Sequence, residues 1–263
     1  MATDPYAAPR ARVADRPDAG AEGAFIPEGQ AVAAGNGWKW IVDGWALFRR
    51  QPGAWVLIII VFLAVSIAIA IVPFLGNIAG YVLGPVFAGG LMLGCHALAR
   101  GGELRLGHLF DGFRDHLARL AILGVAYFAM VLGVLVVAFA VAGAGFGIGW
   151  LFGLGGDQPV PAGIATTTIL LVALVALALI VPVVMAIWFA PALVVLNDFG
   201  VGNALGTSFR ACLKNFVPFL VYGAIFLGLA VLATIPLALG WLALAPTTVA
   251  TVYAAYRDIF YNE

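Results

Sequence analysis

The residues best spaced for chemistry in this sequence are His108, Asp111 and Asp115, which fall at i, i+3 and i+7, on one face of a helix, with His116 beside them. An imidazole and two carboxylates in that pattern can ligate a divalent metal or pass a proton. Their surroundings argue for a plainer role. Neither an HExxH motif nor a Cys pair accompanies them, and Arg114 and Arg119 are at hand as partners, with Asp115 and Arg119 at the four-residue spacing of a helix-surface ion pair. The expectation is a solvated polar face, with no catalytic residue, no metal and no cofactor.

Three other features are weighed in the same way. His96 sits near the end of an apolar run, where a single imidazole serves packing or capping more often than proton transfer. Gly143, Gly145, Gly147, Gly149 and Gly153 lead to Gly155-Gly156-Asp157, yet they match no GxxxxGK[ST] or GxGxxG pattern and follow no strand. The segment 143–163 reads as a flexible outer connection or a partly re-entrant one. Cys95 and Cys212 belong to no CxxC pair and read as reduced, structural thiols.

What positions these residues follows from composition. With 63% apolar and 10% charged residues and a mean hydropathy of +1.07, the chain lies far from soluble proteins, in which about a quarter of residues are charged. This is an integral membrane protein. A spanning helix needs about 20 apolar residues because each backbone N–H and C=O must be paired without water. Six stretches qualify: 54–72, 78–99, 120–143, 164–196, 216–235 and 237–256. The fourth is long enough that it must tilt, kink at Pro182 and Pro191, or protrude.

All thirteen Lys and Arg lie before the first span, between spans two and three, between four and five, or after the sixth. The positive-inside rule therefore places both termini in the cytoplasm of a bacterial inner membrane. Residues 1–36 mix Asp4, Asp15, Asp18, Glu22 and Glu28 with Pro, Gly and Ala and have no signal-peptide core, so they read as a disordered cytoplasmic tail.

An amphipathic segment precedes each pair of spans. In 37–50, Trp38, Ile41, Trp45 and Phe48 share one face, although Trp40 and Leu47 spoil the separation. The second segment carries the stripe Leu106, Phe110, Phe113, Leu117 and Leu120, and the third Leu205, Phe209, Cys212 and Phe216. The fold class is all-α and polytopic, with six spans in three hairpins, each led by an interfacial helix. An internal threefold repeat is suggested, with units at about 37–100, 104–197 and 204–258 in a membrane domain of 37–260. Asp43-Gly44-Trp45 matches Asp111-Gly112-Phe113, and Phe113-Arg114 matches Phe209-Arg210. Gly84-Pro85, Ala190-Pro191 and Ala245-Pro246 recur in the second spans, with Pro73, Pro182 and Pro236 before them. Pro85, Pro182, Pro191 and Pro246 are the expected helix breaks.

Gly44-Trp45-Ala46-Leu47-Phe48-Arg49, Gly84-Pro85-Val86-Phe87-Ala88-Gly89-Gly90, Phe189-Ala190-Pro191-Ala192-Leu193, Ser208-Phe209-Arg210 and Tyr253-Ala254-Ala255-Tyr256-Arg257-Asp258 carry a likeness. Over about residues 37–260 the chain resembles a family of bacterial six-helix inner-membrane proteins. It is broadly similar in arrangement to the membrane domain attached to some glycerophosphodiester phosphodiesterases. The resemblance brings no catalytic residues with it.

The spans hold essentially no ionisable group, which disfavours ion-coupled transport and intramembrane hydrolysis. The leading expectation is a non-enzymatic lipid-interacting or membrane-scaffolding protein. Its contacts to lipid headgroups or to a protein partner would come from Lys39, Arg49, Arg50, Arg114, Arg119, Arg210 and Lys214. A second copy is an alternative partner, and nucleic acid is not one. The competing expectation is a transporter or channel for a small neutral or lipidic solute, with the proline-broken spans lining its path.

Overall fold

The computed structural model describes residues 23–73, 75–152 and 162–262. The regular elements of the described residues are all helices, and their one β contact is an isolated antiparallel bridge between Phe25 and Tyr261. In order come α1 (Asn36–Arg50), α2 (Pro52–Ala70), α3 (Leu75–Ala99), a 3₁₀ helix (Leu106–Phe113), α4 (Leu117–Phe152), α5 (Ala162–Trp188), α6 (Ala190–Asn197), α7 (Val201–Lys214), α8 (Phe216–Thr234) and α9 (Trp241–Phe260).

Among the described residues, five segments are long and apolar enough to cross a membrane: Pro52–Ala70, Ile78–Ala99, Leu117–Leu151, Ala162–Asn197 and Phe216–Thr234. The sixth expected span corresponds to α9, which is not among them. Its second half carries Tyr253, Tyr256, Arg257 and Asp258, and Thr247 and Thr251 face inward, so its composition is that of a core helix. Pro73 and Pro236 lie in the turns before α3 and α9. Thr247, Thr248 and Thr251 each donate to the carbonyl four residues back, which satisfies their hydroxyls within α9.

The tightest packing lies at one end of the bundle, where α3, α6 and α9 finish. Cys95, Leu193, Tyr256, Ile259 and Phe260 are fully buried there, together with Trp40 and Phe189. Burying each large side chain stabilises by about 1.5–3 kcal/mol relative to exposure. The short amphipathic helices ring these ends. The first, α1, packs chiefly on α9, the 3₁₀ helix on α3, and α7 on α5 and α6.

Small residues set those approaches. A Cβ on Gly44 would overlap Thr251, and one on Gly112 would overlap the Val86 carbonyl and reach Gly90. The corresponding residue of α7 is Ser208, and its hydroxyl does more than fit. It donates to the Met185 carbonyl at 2.7 Å and accepts from the Phe189 N–H at 2.9 Å. Those two backbone groups are four residues apart and would ordinarily bond each other. The hydroxyl is inserted into that rung, and the helix is interrupted at Phe189, two residues before Pro191. Pro182, Pro85 and Pro246 lie inside α5, α3 and α9 without interrupting them.

Residues 23–35, expected as part of a disordered tail, are instead bound across this end, while residues 1–22 lie outside the described residues. Donors from the segment meet the last carbonyls of α9, which no helical N–H can reach. Ile26 N–H bonds Phe260 O, and Gln30 N–H bonds Ile259 O, both at 2.8 Å. The Gln30 amide donates to Asp258 O and Tyr261 O. Asn215, fully buried at the end of α7, accepts from Val32 N–H and donates to Gln30 O and Ala211 O. Phe25 packs on Phe199, Phe260 and Tyr261.

Two further expectations are corrected. Gly143, Gly145, Gly147 and Gly149 continue α4 as helix, because Gly145 takes the Thr168 side chain of α5 against its backbone. The outer connection shrinks accordingly, and the rest of it, with Gly153 and Asp157, lies outside the described residues. The second amphipathic segment is not one helix. It is a 3₁₀ helix that ends before Arg114, with α4 starting at Leu117, and its inward residues are Leu109 and Gly112, while Leu106, Phe110 and Leu117 are exposed.

Candidate functional site

The seven cations singled out as headgroup contacts divide into two groups. Four are engaged within the protein. Arg50 donates to Leu98 O at 2.9 Å and to Ala99 O at 3.4 Å, capping α3. Lys214 donates to Glu28 O and Gly29 O and so fastens the bound segment to α7. Arg119 reaches Asp198 at 2.9 Å rather than the expected Asp115. Lys39 pairs with Asp258 at 3.3 Å and stands 3.9 Å from Asp43.

The other three face outward. Arg49 is exposed and makes no hydrogen bond or ion pair to the described residues. Arg114 is 75% exposed and, among the described residues, pairs only with Asp111, at 3.4 Å. Arg210 is exposed and meets Thr207 Oγ1 at 3.4 Å. Beside them stand apolar side chains that the protein does not cover: Trp38, Trp45, Phe110 and Leu213.

His108 caps its own helix, its Nδ1 accepting from Arg105 N–H at 3.0 Å. Asp111 pairs with Arg114. The trio of His108, Asp111 and Asp115 is not drawn together, and among the described residues no group of three His, Cys, Asp or Glu could hold a metal. His96 Nδ1 lies 3.1 Å from the Tyr253 hydroxyl, in a packing role. Cys212 is buried on α7, which pushes its thiol pKa up to about 12.

A second feature lies among the apolar helices. A cavity of about 770 Å³ is walled by α2, α3, the α5–α6 junction and α9, with Tyr127 of α4 at one side. Two of the expected helix breaks, Pro85 and Pro191, line it. Pro182 and Pro246 do not. Among the described residues the wall holds no charged side chain and no histidine.

Over 253 aligned residues the chain is 32% identical to a probable inner membrane protein of Burkholderia thailandensis, across 87% of this chain and 92% of that protein. The chain belongs to this family of bacterial inner-membrane proteins. No protein-family model matches it, and no solved structure does. The match carries the inner-membrane likeness and does not extend to the phosphodiesterase membrane domain.

For this inner-membrane protein, location and helical class follow from the match and the apolar helices together. The residues that sequence reasoning passed over are the fasteners, Gln30, Asn215 and Asp258. Asp258 accepts from the Trp40 indole and the Asn36 amide at 2.7 Å each. Only one signal pointed to them: polar side chains such as Asn215 between an amphipathic stripe and an apolar span must find partners if they are buried.

Proposed function

We propose that this inner-membrane protein is a non-enzymatic, lipid-interacting protein whose three short amphipathic helices lie at the cytoplasmic surface. The reading adds α9 as a sixth span, groups the spans as three hairpins, and puts both termini in the cytoplasm. The cyclic packing supports a threefold arrangement: α1 of the first unit lies on α9 of the third, the 3₁₀ helix of the second on α3 of the first, and α7 of the third on α5 and α6 of the second. The side of the bundle where these helices lie also carries Arg49, Arg50, Arg114, Arg210, Lys214 and Arg257, in line with the positive-inside rule.

One observation carries the functional reading. Exposed aromatic residues, Trp38 at 54% and Trp45 at 43%, stand on the same ring of helices as the outward cations Arg49, Arg114 and Arg210. Indole rings with adjacent guanidinium groups suit a headgroup layer. Each basic residue near an anionic surface contributes about 1 kcal/mol, so replacing these three with Gln weakens anionic-lipid retention by about 100-fold. Native mass spectrometry of the purified protein with retained lipid reads this directly. The matching replacement of Lys39, Arg50, Arg119 and Lys214 lowers thermal stability instead. Unchanged anionic-lipid retention in the Arg49, Arg114 and Arg210 variant would overturn the reading.

The cavity favours a second reading, passage of a small neutral or lipidic solute, because Pro85 and Pro191 line it. Flux across reconstituted vesicles that is lost when the cavity is filled is its test.

A further inference from the structure

Among the described residues the cavity wall is apolar apart from Ser66, Tyr81, Tyr127, Trp188 and Thr248. Thr248 is satisfied within its own helix, at 2.8 Å from Leu244 O. The hydroxyls of Ser66, Tyr81 and Tyr127 make no hydrogen bond to the described residues. Trp188 Nε1 also has no partner, but it is buried away from the void and out of reach of a molecule in it. Tyr81 and Tyr127 stand together, with ring centroids 5.6 Å apart. Donors left unpaired among apolar helices cost free energy that an acceptor on a bound molecule would recover.

The shape adds a second constraint. On α2 the lining runs from Ile59 to Ala70, about 16 Å along a helix axis at 1.5 Å per residue. The described lining is long, neutral and apolar, with three open hydroxyls and no cation. Its volume of about 770 Å³ falls within the roughly 300–1,000 Å³ typical of ligand pockets. A charged headgroup or a free carboxylate finds no counter-charge in it.

We propose that the cavity is a binding site for an acyl chain together with its ester carbonyl, the carbonyl accepting from the Tyr81 and Tyr127 hydroxyls. This site stands on the placement of α2, α3, α4, the α5–α6 junction and α9 and is independent of the interfacial reading. The ester belongs to a membrane glycerolipid, either a phospholipid with its headgroup outside the cavity or an uncharged glyceride.

Glycines supply a way to close the site without breaking the fold. A Cβ on Gly80 or Gly84, both on the wall, would meet nothing within 4 Å. Gly80→Leu and Gly84→Leu therefore fill the void from a position with open space.

The test uses the full chain in nanodiscs with a diacyl phosphatidylethanolamine carrying a diazirine in one acyl chain, with its dialkyl-ether counterpart, and with a diazirine diacylglycerol. Photolabelled peptides are mapped by mass spectrometry, and folding of each variant is checked by thermal melting. In the wild type, labelling concentrates on the peptides bearing Ile59–Ala70 and Tyr81–Met92, and the ester outcompetes the ether by about three- to tenfold, the worth of one or two hydrogen bonds. Tyr81→Phe with Tyr127→Phe removes the ester preference and keeps chain labelling. Gly80→Leu with Gly84→Leu removes both. The ratio of phosphatidylethanolamine to diacylglycerol labelling identifies the source of the ester. Labelling no greater at these peptides than on the exposed face of α8 overturns the site. Equal ester and ether labelling in the wild type overturns the carbonyl contact, and labelling that persists in a folded, filled variant overturns the cavity as its location.

Discussion

Replacing Ser208 with Ala removes one oxygen from a fully buried position and takes the partner from two backbone groups, Met185 C=O and Phe189 N–H. An unpaired buried polar group costs about 1–3 kcal/mol, so two left open would cost about 2–6 kcal/mol. Some of this is recovered, because the two groups are four residues apart and can close on each other. Closure is resisted by the Pro191 ring, which crowds the carbonyl of Ile187 and keeps the junction bent. The expected loss is therefore at the lower end, about 2 kcal/mol. Cys212, one helical turn further along α7 and 2% exposed, reports the result. In a Cys95→Ala background, maleimide reaches Cys212 only through local opening, so a loss of about 2 kcal/mol accelerates modification by about 30-fold. Thr207→Val is the control, since it removes a neighbouring hydroxyl without unpairing any backbone group, and its rate stays near that of the parent. A Ser208→Ala rate within about twofold of the parent would show that the helix break does not depend on the inserted hydroxyl.

Three further outcomes are expected. Asn215→Ala removes three hydrogen bonds at a buried position and releases residues 23–35; limited proteolysis then cuts near Glu28 in the folded variant, with stability lower by about 2–4 kcal/mol. Gly44→Ala drives α1 off α9, since its Cβ would lie 2.9 Å from Thr251 Cα, and lowers the unfolding midpoint by an overpacking cost of about 1–3 kcal/mol, whereas Gly202→Ala, which meets nothing within 4 Å, is neutral or raises it. Burial pushes the Cys212 thiol up to about 12, so the folded protein holds this sulfur as the neutral thiol until pH nears that value; rapid thiolate chemistry at neutral pH in the folded state would contradict its burial.

The sequence revealed the helical class and the apolar spans because lipid leaves a backbone few options. It was less informative wherever glycine decided which face points inward. On α1 the buried set is Gly37, Trp40, Ile41, Gly44, Leu47 and Phe48, a regular helical face. Reading hydrophobicity alone groups Trp38 and Trp45 with Ile41 and Phe48 and makes Trp40 and Leu47 look misplaced, although Trp40 and Leu47 are buried and Trp38 and Trp45 are exposed. The same substitution of small for large hides the inward faces of the second and third segments, where Gly112 and Ser208 approach neighbouring helices more closely than any large side chain could. The contacts of the charges were not legible. Arg50 and Lys214 turned out to meet carbonyls, which leave no mark on a sequence. The cavity was hidden for a related reason: it is made by Gly80, Gly84 and the proline junctions, residues whose contribution is the space they leave.

The segment 23–35 also governs when the fold can be completed. Its partners Asp258, Ile259, Phe260 and Tyr261 leave the ribosome more than two hundred residues after Gln30 does. Until then the early segment has no helix end to cap, and the cluster where α3, α6 and α9 meet lacks its third member. Insertion of the helices is therefore separate in time from closure of the basic end, and closure waits for the last turn of α9. A chain cut short by even a few residues before Phe260 would enter the membrane with that end still open, an exposed apolar seam of the kind that quality-control proteases recognise.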